Sequence, residues 1–255
     1  FGLNLLFSVL VTIFAAEKRK GKSPMKIGIL VAMSVEFRQL ARLMEDKREE
    51  QTGGLEFTIG KIGHNEIVLL QCGIGKVNAA MGTTLLIEAY QPDCVVSTGC
   101  AGGIDERLRV MDVVVSCELI YHDVDCGAGL GCELGQVQGL PRYFQGDPQL
   151  VDTAVGLNGG EAVIHAGLIC TGDQFITSPS SLAVIKQNFS EGMAVDMESA
   201  AIAQVCYLQK KPFVSFRVIS DTPGAKGHQQ QYENFWQQMA DRSFGITKDF
   251  LLRIS

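Results

Sequence analysis

The chain has 255 residues, of which 46% are apolar and 20% are charged, with 28 glycines and 7 prolines. This is the composition of a globular protein, and it excludes the disordered, collagen-like and disulfide-scaffold classes. The formal net charge is −6, but residues 1–24 are basic, and the remaining chain holds 18 basic and 27 acidic residues, a net charge of −9. A body this acidic, without a basic cluster, is a poor binder of nucleic acid, so no nucleic-acid partner is expected.

Residues 1–24 differ from the rest of the chain, and we expect them to form an extension outside the fold. The largely apolar run 1–16 is followed by the basic segment EKRKGKSP. The run is short for a membrane span, which needs about 20 apolar residues. A secretory signal carries its charges before the apolar residues, so this order suits a membrane tether better than export. We favour a third interpretation, in which Met25 is the true start because it leads directly into a strand-like run. Membrane contact is then expected only if residues 1–24 are retained.

From Met25 onward, short apolar runs alternate with segments of helical period. The run KIGILVA (26–32) predicts a strand covered on both faces, and residues 34–46 predict the helix that follows it. Alternation on both sides of the turn signal at residues 63–65 predicts a hairpin. The later predicted elements, in chain order, are a buried helix at 76–90, strands at 94–99, 112–120 and 162–172, a helix at 197–208, a strand at 212–221 and a long amphipathic helix at 234–254.

This alternation of strands and helices predicts one layered α/β domain with a largely parallel sheet. Within it, the glycine-rich segment 127–147 is the longest stretch without periodicity. It is either a functional loop or a mobile surface excursion, and the pattern does not separate the two. The eight cysteines include no C-x-x-C pair, and most lie in apolar runs. They are therefore expected to be buried thiols of a protein in a reducing compartment, the cytoplasm.

Two glycine-rich turns follow predicted strands, but neither carries a nucleotide-phosphate motif. The first, GIG at 73–75, lacks the third glycine of G-x-G-x-x-G and the Gly-Lys-Ser/Thr of a P-loop. The second, at 98–103, lies at the carboxyl end of a strand, where α/β sheets bind ligands. Cys100 within it has no histidine in a recognisable pairing, so a Cys/His hydrolase is not expected. The HDVD run at 122–125 has metal-ligand residue types but favours a loop hydrogen-bond network, and no metal is expected.

Three carboxylates stand where predicted strands pass into helices. Glu36 lies in the first turn after the strand KIGILVA, Glu198 opens the helix after Met193-Ala194-Val195, and Asp221 ends RVISD. Each acid taken alone could simply be an acidic residue at a helix start, which the helix macrodipole favours. For Glu36 taken alone, that interpretation is better than a functional one. Strand ends of one sheet meet in one crevice, so the three together predict a site.

Seven segments carry a resemblance to a known family: MKIGILVAMSVEF, GIGKVNAAMGTTLLIE, STGCAGGI, YHDVD, GLICTGDQFI, AVDMESAAIAQVC and FVSFRVISD. Their order and spacing are similar to those of the bacterial 5′-methylthioadenosine/S-adenosylhomocysteine nucleosidases, in the nucleoside phosphorylase/hydrolase superfamily. The resemblance covers residues 25–253. It implies a single nucleosidase domain, 25–255, with three layers around a central twisted mixed sheet and assembly as a homodimer. It also implies hydrolysis of the N-glycosidic bond of both nucleosides, releasing adenine and a 5-thioribose product in methionine salvage, without a cofactor.

The resemblance implies a role for each of the three carboxylates. Glu36 matches the family's water-activating carboxylate, and Asp221 matches the acid that protonates adenine N7. Glu198 matches the group that holds the ribose hydroxyls. The chemistry itself requires such groups, because breaking an N-glycosidic bond builds positive charge on the ribose and negative charge on the purine.

Other positions of the chain match residues that bind the substrate. Met197 matches a residue that packs on the sugar, and Arg217 matches an arginine of the active-site network. Phe175 matches the residue that stacks on the purine, and the backbone of Ile176 matches the group that reads its edge. The remaining matches line the site, through the backbone at Ala101 and Gly102 and around the ribose and the 5′-thio group at Met33, Ile74 and Tyr232.

The chain also departs from the family pattern. Cys100 stands where the family commonly has Ser, and we assign its side chain no polar role because a thiol is a weak hydrogen-bond partner. Asp196 replaces the first Glu of the usual E-M-E triplet. The loop 126–135 and the loop after Asp221 are each one residue longer, and the first lacks the aromatics that often cover the thio-substituent. These changes bear on substrate breadth rather than on reaction type.

Three other functions compete with this one. A nucleoside phosphorylase needs cationic phosphate ligands, whereas VAMSVEF provides a carboxylate and no arginine. A non-catalytic nucleoside-binding module fits less well, because Glu36, Glu198, Arg217 and Asp221 are all present. Hydrolysis of an aminodeoxyfutalosine-type nucleoside stays open, because it uses the same acids.

Overall fold

The structure, a computed structural model, describes residues 23–158, 163–223, 225, 227–238 and 243–254. Of the expected extension 1–24, all but its last two residues lie outside the described residues. None of the helices described is long and apolar enough to cross a membrane.

The described part of the chain forms a single α/β fold. Its strands are β1 (Lys26–Val31), β2 (Glu45–Thr52), β3 (Leu55–Ile62), β4 (Asn65–Gln71), β5 (Cys94–Gly103), β6 (Val113–Tyr121), β7 (Phe144–Gln145), β8 (Ile164–Thr171), β9 (Gly192–Asp196) and β10 (Phe213–Asp221). Its helices are α1 (Ser34–Leu43), α2 (Lys76–Tyr90), α3 (Pro148–Val155), α4 (Pro179–Asn188), α5 (Ser199–Gln209), α6 (His228–Gln238) and α7 (Ser243–Arg253). A short 3-10 turn at Ala128–Leu130 lies in the glycine-rich segment.

The strands form one mixed sheet, in the order β10-β6-β8-β9-β5-β1-β4-β3-β2, with β7 beside β6. Because β10 also pairs with β5, the strands β10, β6, β8, β9 and β5 close into a ring, and β1 to β4 extend from it. The strands β1, β5 and β10 are parallel neighbours. Their carboxyl ends therefore lie at one edge, which is where a ligand site is expected.

Helices cover both faces of the sheet. Along β1, Ile29 belongs to one buried cluster and Leu30 to the other, which is the alternation of a strand. On the Leu30 side the cluster includes Leu86 of α2 and Ala203 of α5; on the Ile29 side it includes Phe250 of α7. The continuous apolar run of β1 therefore reflects burial on both faces, as predicted.

Two of the expectations about the sheet differ in outcome. The expectation of a largely parallel sheet is wrong, because half of the pairings among the described strands are antiparallel. The hairpins β2–β3–β4 and the returns of β6 and β9 introduce antiparallel neighbours. The mixed sheet implied by the family resemblance is confirmed.

Some elements were not predicted. β2, with the sequence EDKREEQT, is an exposed edge strand, so it carries no apolar alternation. The helices α3 and α4 are short, but each has a start signal: Asp147 before Pro148 and Ser178 before Pro179, with each cap side chain accepting backbone N–H groups of the first turn. The long helix expected at 234–254 is described as two helices, α6 and α7, with residues 239–242 between them outside the described residues.

Candidate active site

A cleft opens at the carboxyl ends of β1, β5, β9 and β10. It contains about 650 Å³ of empty space, part of it open to solvent. Every residue that the sequence analysis selected for the site lines this cleft: Met33, Glu36, Ile74, Ala101, Gly102, Phe175, Ile176, Met197, Glu198, Arg217, Asp221 and Tyr232. The structure thus brings together residues from seven separate places in the chain.

Glu36 lies in the first turn of α1, directly beyond β1, and is buried. Its Oε2 accepts the backbone N–H groups of Ala32 (3.1 Å) and Met33 (2.9 Å), and its Oε1 accepts that of Cys100 (3.2 Å). Burial raises the pKa of Glu36, and the charge of Arg217 with the three N–H groups partly offsets this effect. The result is a fixed carboxylate whose proton affinity exceeds that of a glutamate in water.

Asp221 ends β10, and its side chain is also buried. The Ser220 hydroxyl donates to its Oδ1 at 2.5 Å, and His228 Nε2 lies 2.7 Å from its Oδ2. Burial raises the pKa of Asp221, while the Ser220 hydrogen bond and the His228 charge lower it. The balance favours the protonated acid more than water does.

Glu198 is the N-cap residue of α5, immediately after β9 and Met197. Its Oε1 accepts the backbone N–H of Gly75 at 2.9 Å. The first glycine-rich turn thus provides a hydrogen-bond donor to this carboxylate. Burial raises the pKa of Glu198, and the charge of Arg217 opposes the shift.

Arg217 lies in β10, four residues before Asp221, and is almost fully buried. Its Nε lies 2.9 Å from Asp196 Oδ2, and its Nη2 donates to Ser97 Oγ at 2.7 Å and lies 3.8 Å from Glu198 Oε2. A buried guanidinium needs such partners, because an unpaired charge is strongly disfavoured there. Asp196 is therefore the carboxylate that pairs most directly with Arg217.

The other end of the cleft is apolar. Phe175 is 53% exposed and Ile74 52%, whereas Ile176 is buried. The ring of Tyr232 meets that of Phe175 edge to face, with 5.4 Å between centroids. An exposed aromatic ring beside a cleft provides a surface on which a planar base can stack.

The other residue clusters considered in the sequence have structural contacts. Asp123 accepts both a bidentate contact from Lys76 Nζ at 2.8 Å and the backbone N–H of Asp173, which is a loop hydrogen-bond network. No group of residues suited to a metal ion is found in the described ranges. Burial raises the pKa of Cys100 well above its ordinary value, so this thiol is not an activated nucleophile.

Two polar residues beside Asp221 were not predicted. Ser220 directly precedes Asp221 in the segment RVISD, and this position was the one feature of the sequence that could have indicated a contact between them. His228 reaches Asp221 from the start of α6, across a loop, and no spacing rule relates the two. The described part of the loop 126–135 does not line the cleft, so its glycine-rich character is not explained by the site.

The arrangement provides a carboxylate held by three N–H groups, an acid that favours its proton, and a third carboxylate backed by an arginine. Carboxyl pairs of this kind cleave glycosidic bonds, one as proton donor and one as base for water. The stacking surface adds a place for a flat heterocycle.

The comparisons with known proteins agree with this geometry. The model of the phosphorylase superfamily matches residues 26–252. The chain is 43% identical over 218 residues to the 5′-methylthioadenosine/S-adenosylhomocysteine nucleosidase of Bacillus thuringiensis strain Al Hakam, covering 85% of this chain and 94% of that protein.

Two solved structures are similar throughout. The S-adenosylhomocysteine nucleosidase of Streptococcus pyogenes, in complex with 5-methylthiotubericidin, is 35% identical with a TM-score of 0.84, covering 92% of this chain and 99% of that one. The 5′-methylthioadenosine/S-adenosylhomocysteine nucleosidase of Colwellia psychrerythraea 34H, in complex with adenine, is 38% identical with a TM-score of 0.84, covering 90% and 95%.

Proposed function

The chain belongs to the phosphorylase superfamily and, within it, to the 5′-methylthioadenosine/S-adenosylhomocysteine nucleosidases, and we propose that its cleft hydrolyses the N-glycosidic bond of these two nucleosides. The products are adenine and the 5-thioribose. The observation that carries the proposal is that Glu36, Glu198 and Asp221 line one cleft, backed by Arg217 and bordered by the exposed ring of Phe175.

Asp221 is the proton donor to the leaving purine. As the bond breaks, the purine gains negative charge, and a proton on N7 neutralises it. Burial raises the pKa of Asp221, which favours its acid form more than water does. Phe175 and Ile176 hold the base, the first by stacking and the second through its backbone.

Glu36 prepares the water. Its oxygens accept three backbone N–H groups, which fix the carboxylate at the cleft wall. A raised pKa makes it a stronger base than glutamate in water, so it takes the proton of a water molecule as that water attacks C1′.

Glu198 stabilises the sugar during the reaction. Its carboxylate accepts hydrogen bonds from the ribose hydroxyls, and its charge favours the positive character that develops on the ring. Arg217, 3.8 Å from Glu198 Oε2, favours the ionised form of that carboxylate and so opposes the rise in its pKa that burial causes. Met197 packs against the sugar, with Met33, Ile74 and Tyr232 around the 5′-thio group.

Phosphate is a poor nucleophile for this site. Among the described residues that line the cleft, Arg217 carries the single side-chain cation, and Asp196 and Glu198 already pair with it. Glu36 places a further negative charge at the same wall. A phosphate dianion would be repelled there, whereas water is not.

The test is release of adenine by the purified full chain. We expect the protein to release adenine from both 5′-methylthioadenosine and S-adenosylhomocysteine, with the adenine measured by chromatography. Aminodeoxyfutalosine is tested in parallel as a third substrate. If neither 5′-methylthioadenosine nor S-adenosylhomocysteine yields adenine, the proposal is contradicted. If only aminodeoxyfutalosine yields the free base, the substrate is a futalosine-type nucleoside instead. Boiled protein provides the background rate.

We further propose that the protein is a cytoplasmic homodimer. On α2, Val77 and Met81 are four residues apart on one face and are 78% and 47% exposed. A helix face this apolar suits contact with a second copy of the chain. The eight free cysteines support a reducing compartment.

A further inference from the structure

His228 is a buried histidine beside the proposed proton donor. It begins α6, and its ring contacts Phe175, with 5.9 Å between the centroids and a 37° tilt. Its side chain is 7% exposed, and its Nε2 lies 2.7 Å from Asp221 Oδ2. Within the described part of the chain, this nitrogen makes no aligned hydrogen bond, and the Asp221 oxygen is the carboxylate atom that it faces at contact distance.

The two oxygens of Asp221 have different partners. Oδ1 accepts the Ser220 hydroxyl, whereas Oδ2 faces His228 Nε2. Since Oδ1 is already an acceptor, a proton held by the pair lies between Oδ2 and Nε2. A single proton there makes the buried pair neutral overall, either as acid with imidazole or as carboxylate with imidazolium, which avoids an isolated buried charge.

We propose that His228 is a positioning residue that shares one proton with Asp221 Oδ2, so that the pair holds this proton until Asp221 passes it to the leaving purine. The inference rests on the proposed function and adds a second residue to the donor. His228 acts only through Asp221, so it is not itself the donor to the purine.

The proton transfers balance. Asp221 gives the Oδ2 proton to purine N7 as the C1′–N bond breaks, and the electron pair of that bond leaves with the purine. The pair is then one proton short, as the Asp221 carboxylate beside a neutral imidazole. Water forms the new C1′–O bond and gives its proton to Glu36. Solvent later takes the proton from Glu36 and returns one to the pair of Asp221 and His228, so no proton is gained or lost over a turnover.

The effect of pH follows from the groups around the imidazole. Asp221 of β10 contacts it, Tyr232 lies one turn further along α6, and the cleft also holds Glu36, Glu198 and Arg217. Two sites share the last proton of the pair, so the pair holds that proton to higher pH than Asp221 does alone. Removing the imidazole must then move the loss of activity at alkaline pH toward lower pH.

The decisive experiment compares pH profiles of adenine release for wild type, His228→Gln and Gln231→Ala. We expect His228→Gln to lower kcat about 10- to 100-fold and to move the alkaline limb down by about one pH unit. Gln231 is the matched control, because its Oε1 accepts the Thr222 N–H at 3.0 Å and so anchors the same loop without touching Asp221. Gln231→Ala keeps the imidazole, so its alkaline limb should stay at the wild-type position.

The same substitution made in the Asp221→Asn variant distinguishes a positioning role of His228 from a purely structural role. If His228 acts through Asp221, adding His228→Gln to Asp221→Asn lowers the residual rate no further. His228→Asn replaces His228→Gln if thermal unfolding shows that the latter fails to fold. An unmoved alkaline limb in an active, folded variant, or additive losses in the double variant, would overturn the inference. If the wild-type protein releases no adenine, the proposed function is overturned instead. The adenine assay on wild type therefore tests the proposed function separately from the role of His228.

Discussion

An aspartic acid in water loses its proton near pH 3.9, whereas the proposed role of Asp221 requires a proton at neutral pH. Burial moves its pKa in the required direction. Glu36 and Glu198 are shifted in the same direction by burial, but Arg217 opposes the shift for both. The position of Arg217 distinguishes the three acids: its charge favours the ionised forms of Glu36 and Glu198 against the effect of burial, whereas Asp221 has Ser220 and His228 as its opposing partners.

Replacing Asp221 with Asn tests the donor. The amide has nearly the same shape and can hydrogen-bond to N7, but it cannot transfer a proton. We expect kcat to fall about 10²- to 10⁴-fold while adenine still binds, measured by turnover and by calorimetry. A kcat within a factor of two of wild type would remove Asp221 from its role.

The acidic side of the pH profile tests the carboxylates. Glu36 must be ionised to accept a proton from water, and a raised pKa means that ionisation is lost at a higher pH than for an ordinary glutamate. As the pH falls, kcat/KM should therefore decline with a midpoint above pH ~4.3, the ordinary pKa of glutamate. Steady-state kinetics in constant-ionic-strength buffers measure this limb, and a limb at or below that value contradicts the assignment.

At the scale of elements, the site depends on close approach between strand ends and helix starts. Gly99 of β5 shows this most directly, because a Cβ there would lie 2.6 Å from both Arg217 Nη1 and Glu36 Oε1. No real side chain fits that space without displacing the charged groups of the cleft. The glycine therefore serves packing of the site rather than phosphate binding.

Gly99→Ala should lower both stability and activity. We expect a loss of about 1–3 kcal/mol in the free energy of unfolding, as for other overpacked positions, together with a large fall in kcat. Gly245→Ala is the matched control, because Gly245 lies within α7 with open space around its Cα, so alanine there should stabilise by about 0.5–1 kcal/mol. Chemical denaturation measures both changes, and equal effects of the two substitutions would contradict the packing argument.

Elements with a strong apolar pattern were predictable, and elements without one were not. β1, α2 and β10 follow their predicted bounds within two residues, because burial of whole faces leaves a clear periodicity. β2 is an exposed edge strand stabilised by pairing with β3, a contact that its own charged sequence does not reveal. The sheet direction failed for a related reason: pairing partners are set by connections between strands, not by the composition of each strand.

The site was more predictable than the sheet. The convergence of Glu36, Glu198 and Asp221 followed from strand ends alone, and the predicted family is confirmed by relatives that cover most of the chain. His228 was missed because its contact with Asp221 spans a loop and depends on how α6 docks. Such contacts are a property of tertiary packing, which one sequence does not show.

At the scale of the whole molecule, the exposed apolar face of α2 is one feature of the described residues that a single copy of the chain leaves uncovered. We expect Val77→Glu to convert a dimer into a monomer, since a buried charge without a partner opposes association. Val163→Glu is the control, because Val163 is also half-exposed but lies apart from α2, before β8. Light scattering measures the mass, and a dimeric Val77→Glu or a monomeric wild type would contradict the proposed interface.

The central claim is that water, not phosphate, attacks the ribose. The most direct measurement incubates the full chain with 5′-methylthioadenosine, with and without phosphate, and identifies the sugar product by mass spectrometry. The crowding of carboxylates around Arg217 predicts 5-methylthioribose and an equal amount of adenine in both buffers, at equal rates. Turnover that requires phosphate and yields 5-methylthioribose 1-phosphate would contradict it.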